Sequence, residues 1–261
     1  MKKKHGIKTY SNNDIIKIKK SCKQASYILD YIYNFLKPGI TTNEINDLCY
    51  GKIIKFKAIP ATLNYKYFPK SLCVSINNIV CHGIPNNRKL LDGDIINIDI
   101  TININGWYGD TSRMYFIGNN ISQEAYNLVR TTYYTMKKAI KEIETNMLLN
   151  NIGLTIENFI NNTNYSIIKN YCGHGIGNKF HDLPNILHFY DDKYKFELKK
   201  GMCFTIEPMI NIGRVNNIIL PDKWAVSTKD LFLSSQFEHT IMVKHNKYEV
   251  LTFSSYENNI L

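Results

Sequence analysis

The sequence predicts an α+β protein made of one domain. Its 261 residues are 44% hydrophobic and 21% charged, a balance typical of a chain that buries a large core. Helix-like and strand-like segments occur in the order helix, helix, strands, and that order then occurs a second time. We therefore expect two similar halves within a single domain that spans residues 1–261.

Two helices are expected at the start of the chain. Between residues 11 and 37, apolar residues recur every three to four positions, and a Lys-Pro-Gly triplet at 37–39 ends the pattern. Thr41 and Glu44 have the spacing of an N-terminal capping box. They predict a second helix that runs to about Lys57.

Strands follow these helices. Residues 71–85 are strand-like, with a polar Asn-Asn pair in the middle, and residues 94–104 alternate between isoleucine and mostly polar side chains. The dipeptide Asn105-Gly106 is a strong signal for a two-residue hairpin turn. Residues 107–117 should therefore return as the partner strand.

The second half follows the same order. Helical periodicity occupies residues 122–145 and 150–162. Strand-like segments follow at 165–168, 202–206 and 237–243. We find no linker and no low-complexity segment between the halves.

The net charge of +10 comes mostly from lysine. It has two interpretations, a compositional drift that spreads lysines over a solvated surface, or a basic surface for RNA or a ribosome. Arginines are few and do not cluster, so we expect ribosome association at most, and no specific nucleic-acid partner.

Targeting signals and cysteine spacing predict the compartment. No apolar run reaches membrane-spanning length, and no apolar region follows the basic segment Met1–His5, so neither a membrane anchor nor a secretory leader is expected. The six cysteines form no Cys-x-x-Cys pair. Reduced thiols in a cytoplasmic protein are the expectation.

The predicted hairpin brings two acids together. A turn at Asn105-Gly106 pairs Thr101 with Asp110, which places Asp99 one diagonal step from Asp110, with about 7–8 Å between backbones. Carboxylates that face inward on a sheet filled with isoleucine are costly unless positive charge neutralises them. A solvated polar face with two incidental acids is the alternative that this pair leaves open.

Other polar residues interrupt apolar or glycine-rich segments. His174 lies between glycines, and His181 follows seven residues later. Glu207 precedes a proline at the end of a strand, Glu238 interrupts an apolar strand, and His82 lies on a Gly/Pro turn. Each residue alone is also compatible with a structural role. The combined set of candidate metal ligands is Asp99, Asp110, His174, Glu207 and Glu238.

Four carboxylates and one imidazole suit two divalent cations. Such a pair activates water and polarises a carbonyl group. The oxygen-rich donor set favours Mn, Fe or Co over a tetrahedral zinc site built from cysteine and histidine.

Six short strings occur in the order and spacing of one enzyme family: VCHGIP, NIDIT, GDTSRM, YCGHGIG, FTIEPM and FEHTI. With them, the chain resembles type I methionine aminopeptidases over about residues 15–252. The resemblance implies the pita-bread fold, in which two pseudo-symmetric halves surround a curved antiparallel sheet. It also implies a monomeric enzyme that removes the initiator methionine from nascent proteins when the second residue is small. The lack of an N-terminal extension fits the short bacterial form.

The resemblance assigns roles to the candidate ligands. Asp99 would bind one metal ion, and Asp110 and Glu238 would bridge both ions. His174 and Glu207 would complete the other ion, and Glu207 would also take the proton from the attacking water.

The substrate contacts are implied in the same way. His181 would hydrogen-bond the scissile amide or the tetrahedral intermediate, and His82 would contact the amide and help to protonate the leaving amine. Thr62 stands where many bacterial relatives have cysteine, so the fine shape of the pocket should differ. The residues implied to hold the methionine side chain are Tyr65, Phe68, Cys73, Phe180 and Trp224.

The resemblance also implies a loop for one monovalent cation, which would map to Asn77, Ile79 and Ser234. Two alternatives remain open. An Xaa-Pro aminopeptidase or prolidase shares the fold and the metal ions but usually carries a large additional N-terminal domain. A metal-free binding protein on the same fold would lack some of the candidate metal ligands, but all five are present in this sequence.

Overall fold

The computed structural model describes residues 6–259, so the basic segment Met1–His5 lies outside the described residues. Each predicted helix forms, with ends within four residues of the expected positions. None of the helices in this range is long and apolar enough to cross a membrane. The helices are α1 (Asn12–Tyr33), α2 (Thr42–Lys55), α3 (Gln123–Lys141) and α4 (Asn150–Ile160).

Side-chain caps define where the first two helices begin. Ser11 and Asp14 form a capping box at the start of α1. Thr41 and Glu44 form the predicted box at the start of α2, where the Thr41 side chain accepts a hydrogen bond from the backbone N–H of Glu44. Each box satisfies backbone donors that the helix itself leaves without partners.

All strand pairs between the named strands are antiparallel. The longer strands lie where the alternation of side chains predicts them, and most of the others, only two to five residues long, escaped prediction because so short a segment shows little periodicity. The strands are β1 (Ile59–Pro60), β2 (Cys73–Ile76), β3 (Ile79–Cys81), β4 (Ile95–Ile104), β5 (Trp107–Phe116), β6 (Ser166–Ile167), β7 (Gly173–Gly175), β8 (Asp182–Ile186), β9 (Cys203–Ile206), β10 (Met209–Asn211), β11 (Asn217–Ile219), β12 (Val226–Thr228), β13 (Ser234–Gln236), β14 (His239–Lys244) and β15 (Lys247–Val250).

The hairpin of β4 and β5 has the predicted register. Ile104 pairs with Trp107, and Thr101 pairs with Asp110. Asn105 and Gly106 both have positive φ angles, 52° and 84°, as a two-residue turn that matches the twist of the strands requires.

Each half has its own apolar core. In the first half, the isoleucines of β4 at 96, 98, 100, 102 and 104 pack with apolar residues of α1 and α2. In the second half, Phe204 and Ile206 of β9 pack with apolar residues of α3 and α4. Successive strand residues point to opposite faces. The polar residues between these positions, such as Thr101 and Thr205, therefore point away from the helices.

The two halves meet at several places, among them the β3–β12 strand pair and an isolated backbone bridge. Ser112 of β5 and Glu238 exchange two backbone hydrogen bonds, of 3.3 and 3.1 Å. Glu238 was predicted within a strand over 237–243, but β14 begins one residue later, at His239. The bridge to the first half takes the place of regular pairing at Glu238, and it brings that residue beside β5.

A buried ionic cluster attaches the end of the chain to both halves. Arg113 of β5 is 2% exposed and contacts Asp30 of α1 at 2.7 Å and Glu257 at 3.3 Å. Glu257 belongs to a final 3₁₀ turn, Ser255–Asn259, and its other oxygen lies 3.1 Å from Nε2 of His239. Burial alone would raise the pKa of the Glu257 carboxyl, but His239 and Arg113 outweigh burial and lower it.

We expect this cluster to make stability depend on acidity. Because the pKa of Glu257 is lower in the folded chain than in the unfolded chain, its stabilising effect is complete above the unfolded value and is lost as the pH falls through the folded value. Thermal unfolding measured between pH 7 and pH 3 should show that Glu257→Gln is less stable than the parent at pH 7. The difference should shrink as the pH falls. A constant difference across this range would contradict the prediction.

Candidate active site

One cavity of about 560 Å³ is lined by every residue for which the sequence predicted a role in binding divalent metal, in catalysis or in substrate binding. Its walls come from both halves, because β4 and β5 of the first half and β7 of the second all contribute lining residues. The predicted residues that line it are Tyr65, Phe68, Cys73, His82, Asp99, Asp110, His174, Phe180, His181, Glu207, Trp224 and Glu238.

The hairpin acids lie on the cavity side of the sheet. Thr101 pairs with Asp110, and Asp99 pairs with Ser112, so the two acids are diagonal neighbours as predicted. Asp110 is 3% exposed. The alternative that these acids lie on a solvated polar face is therefore wrong, because the second half of the chain covers this face of the hairpin.

Three donor groups from distant parts of the chain converge beside the hairpin. One ligand atom each from Asp110, His174 and Glu238 lies within 4.8 Å of the others. The Nε2 atom of His174 is 3.6 Å from Asp110 Oδ2 and 3.8 Å from Glu207 Oε1. These distances are too long for hydrogen bonds, and they leave the donor atoms facing a common point.

The carboxylates of this cluster favour the binding of cations. Burial raises the pKa of Asp99 and Glu238 well above the usual range, and the neighbouring carboxylates raise it further. Burial would lower the pKa of His174, but the carboxylates of Asp110 and Glu207 outweigh burial and raise it. Within the described part of the chain, no Lys or Arg forms an ion pair with the four acids. The donor set therefore fits divalent metal ions.

Threonines that the sequence analysis missed hold these ligands in place. Thr101 donates a 2.7 Å hydrogen bond to Asp110 Oδ1. Thr205 donates to Glu207 Oε1 at 2.8 Å and accepts the backbone N–H of His174 at 2.9 Å. A signal was present, since each threonine lies two residues along a strand from a candidate ligand and so faces the same way.

The two candidate catalytic histidines line the cavity and pack on different aromatic neighbours. His82 follows β3 with a φ of 56°, and its ring packs edge-on against Trp224 at 5.9 Å. Burial lowers the pKa of His82 to about 4. The His181 ring stacks on Tyr65 at 5.2 Å, and partial burial together with His174 lowers its pKa. Both imidazoles are therefore neutral near pH 7.

Aromatic side chains form part of the cavity lining, which we call the aromatic wall: Tyr65, Phe68, Phe180 and Trp224. Phe68 meets Trp224 edge-on at 5.2 Å, and Tyr65 contacts Phe180 at 4.9 Å. Cys73 pairs with Asp99 across the sheet and lines the same cavity. The lining is mostly apolar, and it fits an unbranched, polarisable side chain.

Comparison with known proteins identifies the family. The profile described as metallopeptidase family M24 matches residues 16–245. The chain belongs to metallopeptidase family M24. This chain is 47% identical over 249 residues to a methionine aminopeptidase of Rickettsia prowazekii, a match that covers 95% of this chain and 96% of the relative.

Solved structures agree with this M24 assignment. A crystal structure of methionine aminopeptidase from Rickettsia prowazekii matches with a TM-score of 0.93 at 46% identity, covering 95% of this chain and 100% of that one. Methionine aminopeptidase from Thermotoga maritima matches with a TM-score of 0.92 at 30% identity, with coverage of 95% and 100%. The predicted pita-bread fold and the resemblance to methionine aminopeptidases are confirmed.

The loop predicted for a monovalent cation is assembled in part. The backbone N–H of Ser234 donates to the carbonyl of Asn77 at 2.8 Å, and the buried Ser234 hydroxyl has no hydrogen-bond partner in the structure. Ile79 lies on β3, two residues after Asn77. A cation at this place stays a prediction.

Proposed function

We propose that this M24 metallopeptidase removes N-terminal methionine from nascent proteins whose second residue is small. The observation that carries the proposal is that acids and imidazoles from both halves line one cavity together with a group of aromatic side chains. The similarity to methionine aminopeptidases supports the choice of methionine. We propose that residues 1–261 form a single catalytic domain.

Two divalent ions, of Fe, Mn or Co, would be held by the five candidate ligands. When bound, such ions polarise the scissile carbonyl group and make water nucleophilic at neutral pH. The distribution of ligands that we propose has Asp99 on one ion and His174 and Glu207 on the other. Asp110 and Glu238, which bring two carboxylates beside the same point, would be shared.

The proton transfers fall to side chains of this chain. Glu207 would accept the proton of the attacking water, and Thr205 orients its carboxylate. Neutral His181 would donate a hydrogen bond to the amide or to the developing oxyanion. Neutral His82 would contact the amide and help to protonate the leaving amine. It would relay the proton that Glu207 takes from water, accepting it at one ring nitrogen as it gives one up from the other.

The aromatic wall would select the first residue of the substrate. The cavity lining is mostly apolar, and its aromatic members are Phe68, Trp224, Tyr65 and Phe180. Cys73 lines the same cavity. Thr62, which also lines the cavity, adds a hydroxyl and so adjusts the shape of the methionine pocket.

The partners that follow are the N-termini of nascent chains in the cytoplasm. We also propose association with the ribosome through the lysine-rich surface, and one monovalent cation at Asn77, Ile79 and Ser234. The six free cysteines, five of them buried, are consistent with a reducing compartment.

The test is hydrolysis of the peptide Met-Ala-Ser by the purified chain, prepared anaerobically with Fe(II), Mn(II) or Co(II). We expect methionine release that requires metal and that spares Ala-Pro. The metal-stripped chain is the matched control. Cleavage of Ala-Pro instead of Met-Ala-Ser would move the assignment to the proline-specific relatives, and failure on both peptides with metal bound would favour a binding protein.

A further inference from the structure

His188 is a buried imidazole outside the cavity wall that contacts a candidate catalytic residue. It is 1% exposed, and it lies just after β8. Its Nε2 atom accepts a 3.2 Å hydrogen bond from the backbone N–H of Glu207. Its Nδ1 atom has no hydrogen-bond partner in the structure. Because Nε2 is an acceptor, the ring proton is on Nδ1, and the ring is neutral.

The backbone of Glu207 needs such an acceptor. β9 ends at Ile206, which pairs with His239 of β14. Pro208 has no N–H, and β10 begins only at Met209. The Glu207 N–H therefore lies in the gap between two ladders, buried and without a strand partner. Buried backbone donors are nearly always satisfied, and here His188 satisfies one at the residue whose carboxylate faces the metal-binding cluster.

The rest of the fold holds His188 firmly. Before it, Ile186 pairs with Gly173 of β7. After it, the Phe189 carbonyl packs so closely on α4 that a Cβ on Gly153 would overlap it. The Tyr190 N–H donates to Glu157 of α4 at 3.2 Å. The residues that flank His188 are thus fixed to a sheet on one side and to a helix on the other.

We propose that His188 is a positioning residue that fixes the carboxylate of Glu207 toward the metal ions through the Glu207 backbone. The inference rests on the proposed function for the role of Glu207. His188 touches neither the substrate pocket nor the metal ligands' side chains. If the Glu207 N–H loses the acceptor that His188 provides, the backbone at 207 should rotate and the carboxylate should move with it. The aromatic wall should be unchanged.

Three substitutions separate positioning from packing. His188→Phe keeps the ring and removes the acceptor. His188→Gln places an amide oxygen near the position of Nε2, whereas His188→Asn places it near the position of Nδ1. The measurement is Co(II) titration of the metal-stripped full chain without substrate, followed by visible absorption, with thermal unfolding recorded for each variant.

We expect His188→Phe and His188→Asn to weaken Co(II) binding by about 10–100-fold, the usual effect of losing a partner that orients a ligand. They should also lower kcat on Met-Ala-Ser and leave KM unchanged, while His188→Gln stays near the parent in both. Parent-like Co(II) affinity in the phenylalanine and asparagine variants would overturn the inference. So would a loss in all three that simply follows their thermal stability, or a parent chain that binds no Co(II). A parent that binds Co(II) but releases no methionine refutes the proposed function alone.

Discussion

Asp110→Asn is expected to lower methionine release from Met-Ala-Ser by at least about 10³-fold. Several kcal/mol of transition-state stabilisation come from catalytic cations of this kind, and each 1.36 kcal/mol is a factor of about ten in rate. Asp110 is central because its ligand atom lies within 4.8 Å of those of His174 and Glu238. An amide keeps the shape of the side chain and its hydrogen bond from Thr101, so the loss should come from charge.

The same substitution should stabilise the metal-free chain. Asp110 adds a negative charge to a buried site where the pKa values of Asp99 and Glu238 are already raised by burial and by neighbouring carboxylates. Removing that charge relieves repulsion, so thermal unfolding of the stripped chain at neutral pH should shift upward. Added Mn(II) should stabilise the parent by about 2.7 kcal/mol at one hundred times its dissociation constant, and it should stabilise the variant much less.

Asp192→Asn is the matched control, because it makes the same chemical change at an exposed acid. It should leave activity, metal dependence and thermal stability close to those of the parent. Full activity in Asp110→Asn, or an equal response of both variants to Mn(II), would show that the buried acids do not bind the catalytic ions.

Arg113→Met should produce the largest loss of stability outside the active site. The guanidinium is 2% exposed and contacts the carboxylates of Asp30 and Glu257. Removing one partner of a buried ionic cluster leaves uncompensated charge and costs about 3–5 kcal/mol. At roughly 2–4 °C for each kcal/mol in a chain of this size, the melting temperature should fall by roughly 6–20 °C.

Two further variants sharpen this experiment. Arg130→Met removes an exposed arginine that lies over the Tyr134 ring, and it should cost about 1 kcal/mol or less. A triple variant that also replaces Asp30 and Glu257 with leucine should recover part of the loss, since apolar replacement of a whole buried cluster is often tolerated. A change below about 1 kcal/mol for Arg113→Met would contradict the proposed importance of the cluster.

Local sequence rules were sufficient for the hairpin. The two-residue turn at Asn105-Gly106 and the strict alternation of β4 predicted the pairing of Thr101 with Asp110, because turn length sets the register and the strand period of two sets the face. The family resemblance then named the remaining candidates for divalent-metal, catalytic and substrate-binding roles, and all of these line one cavity.

The sequence did not reveal the groups that support the ligands. Thr205 and His188 act on Glu207 through single hydrogen bonds. Thr205 shares a strand face with Glu207, so alternation contained a signal for it. His188 had none, because its contact joins positions 19 residues apart across a gap in the ladder that the proline creates.

By itself, the sequence determined the helices, the register of the main hairpin and the identity of the candidate chemical groups, because all of these depend on local periodicity, turn chemistry or short motifs. Only the tertiary structure decided that the polar face of β4 is covered and not solvated. It also decided that the bridge between Ser112 and Glu238 joins the halves. The physical reason is that alternation specifies which residues share a face, whereas packing between distant segments specifies what that face meets.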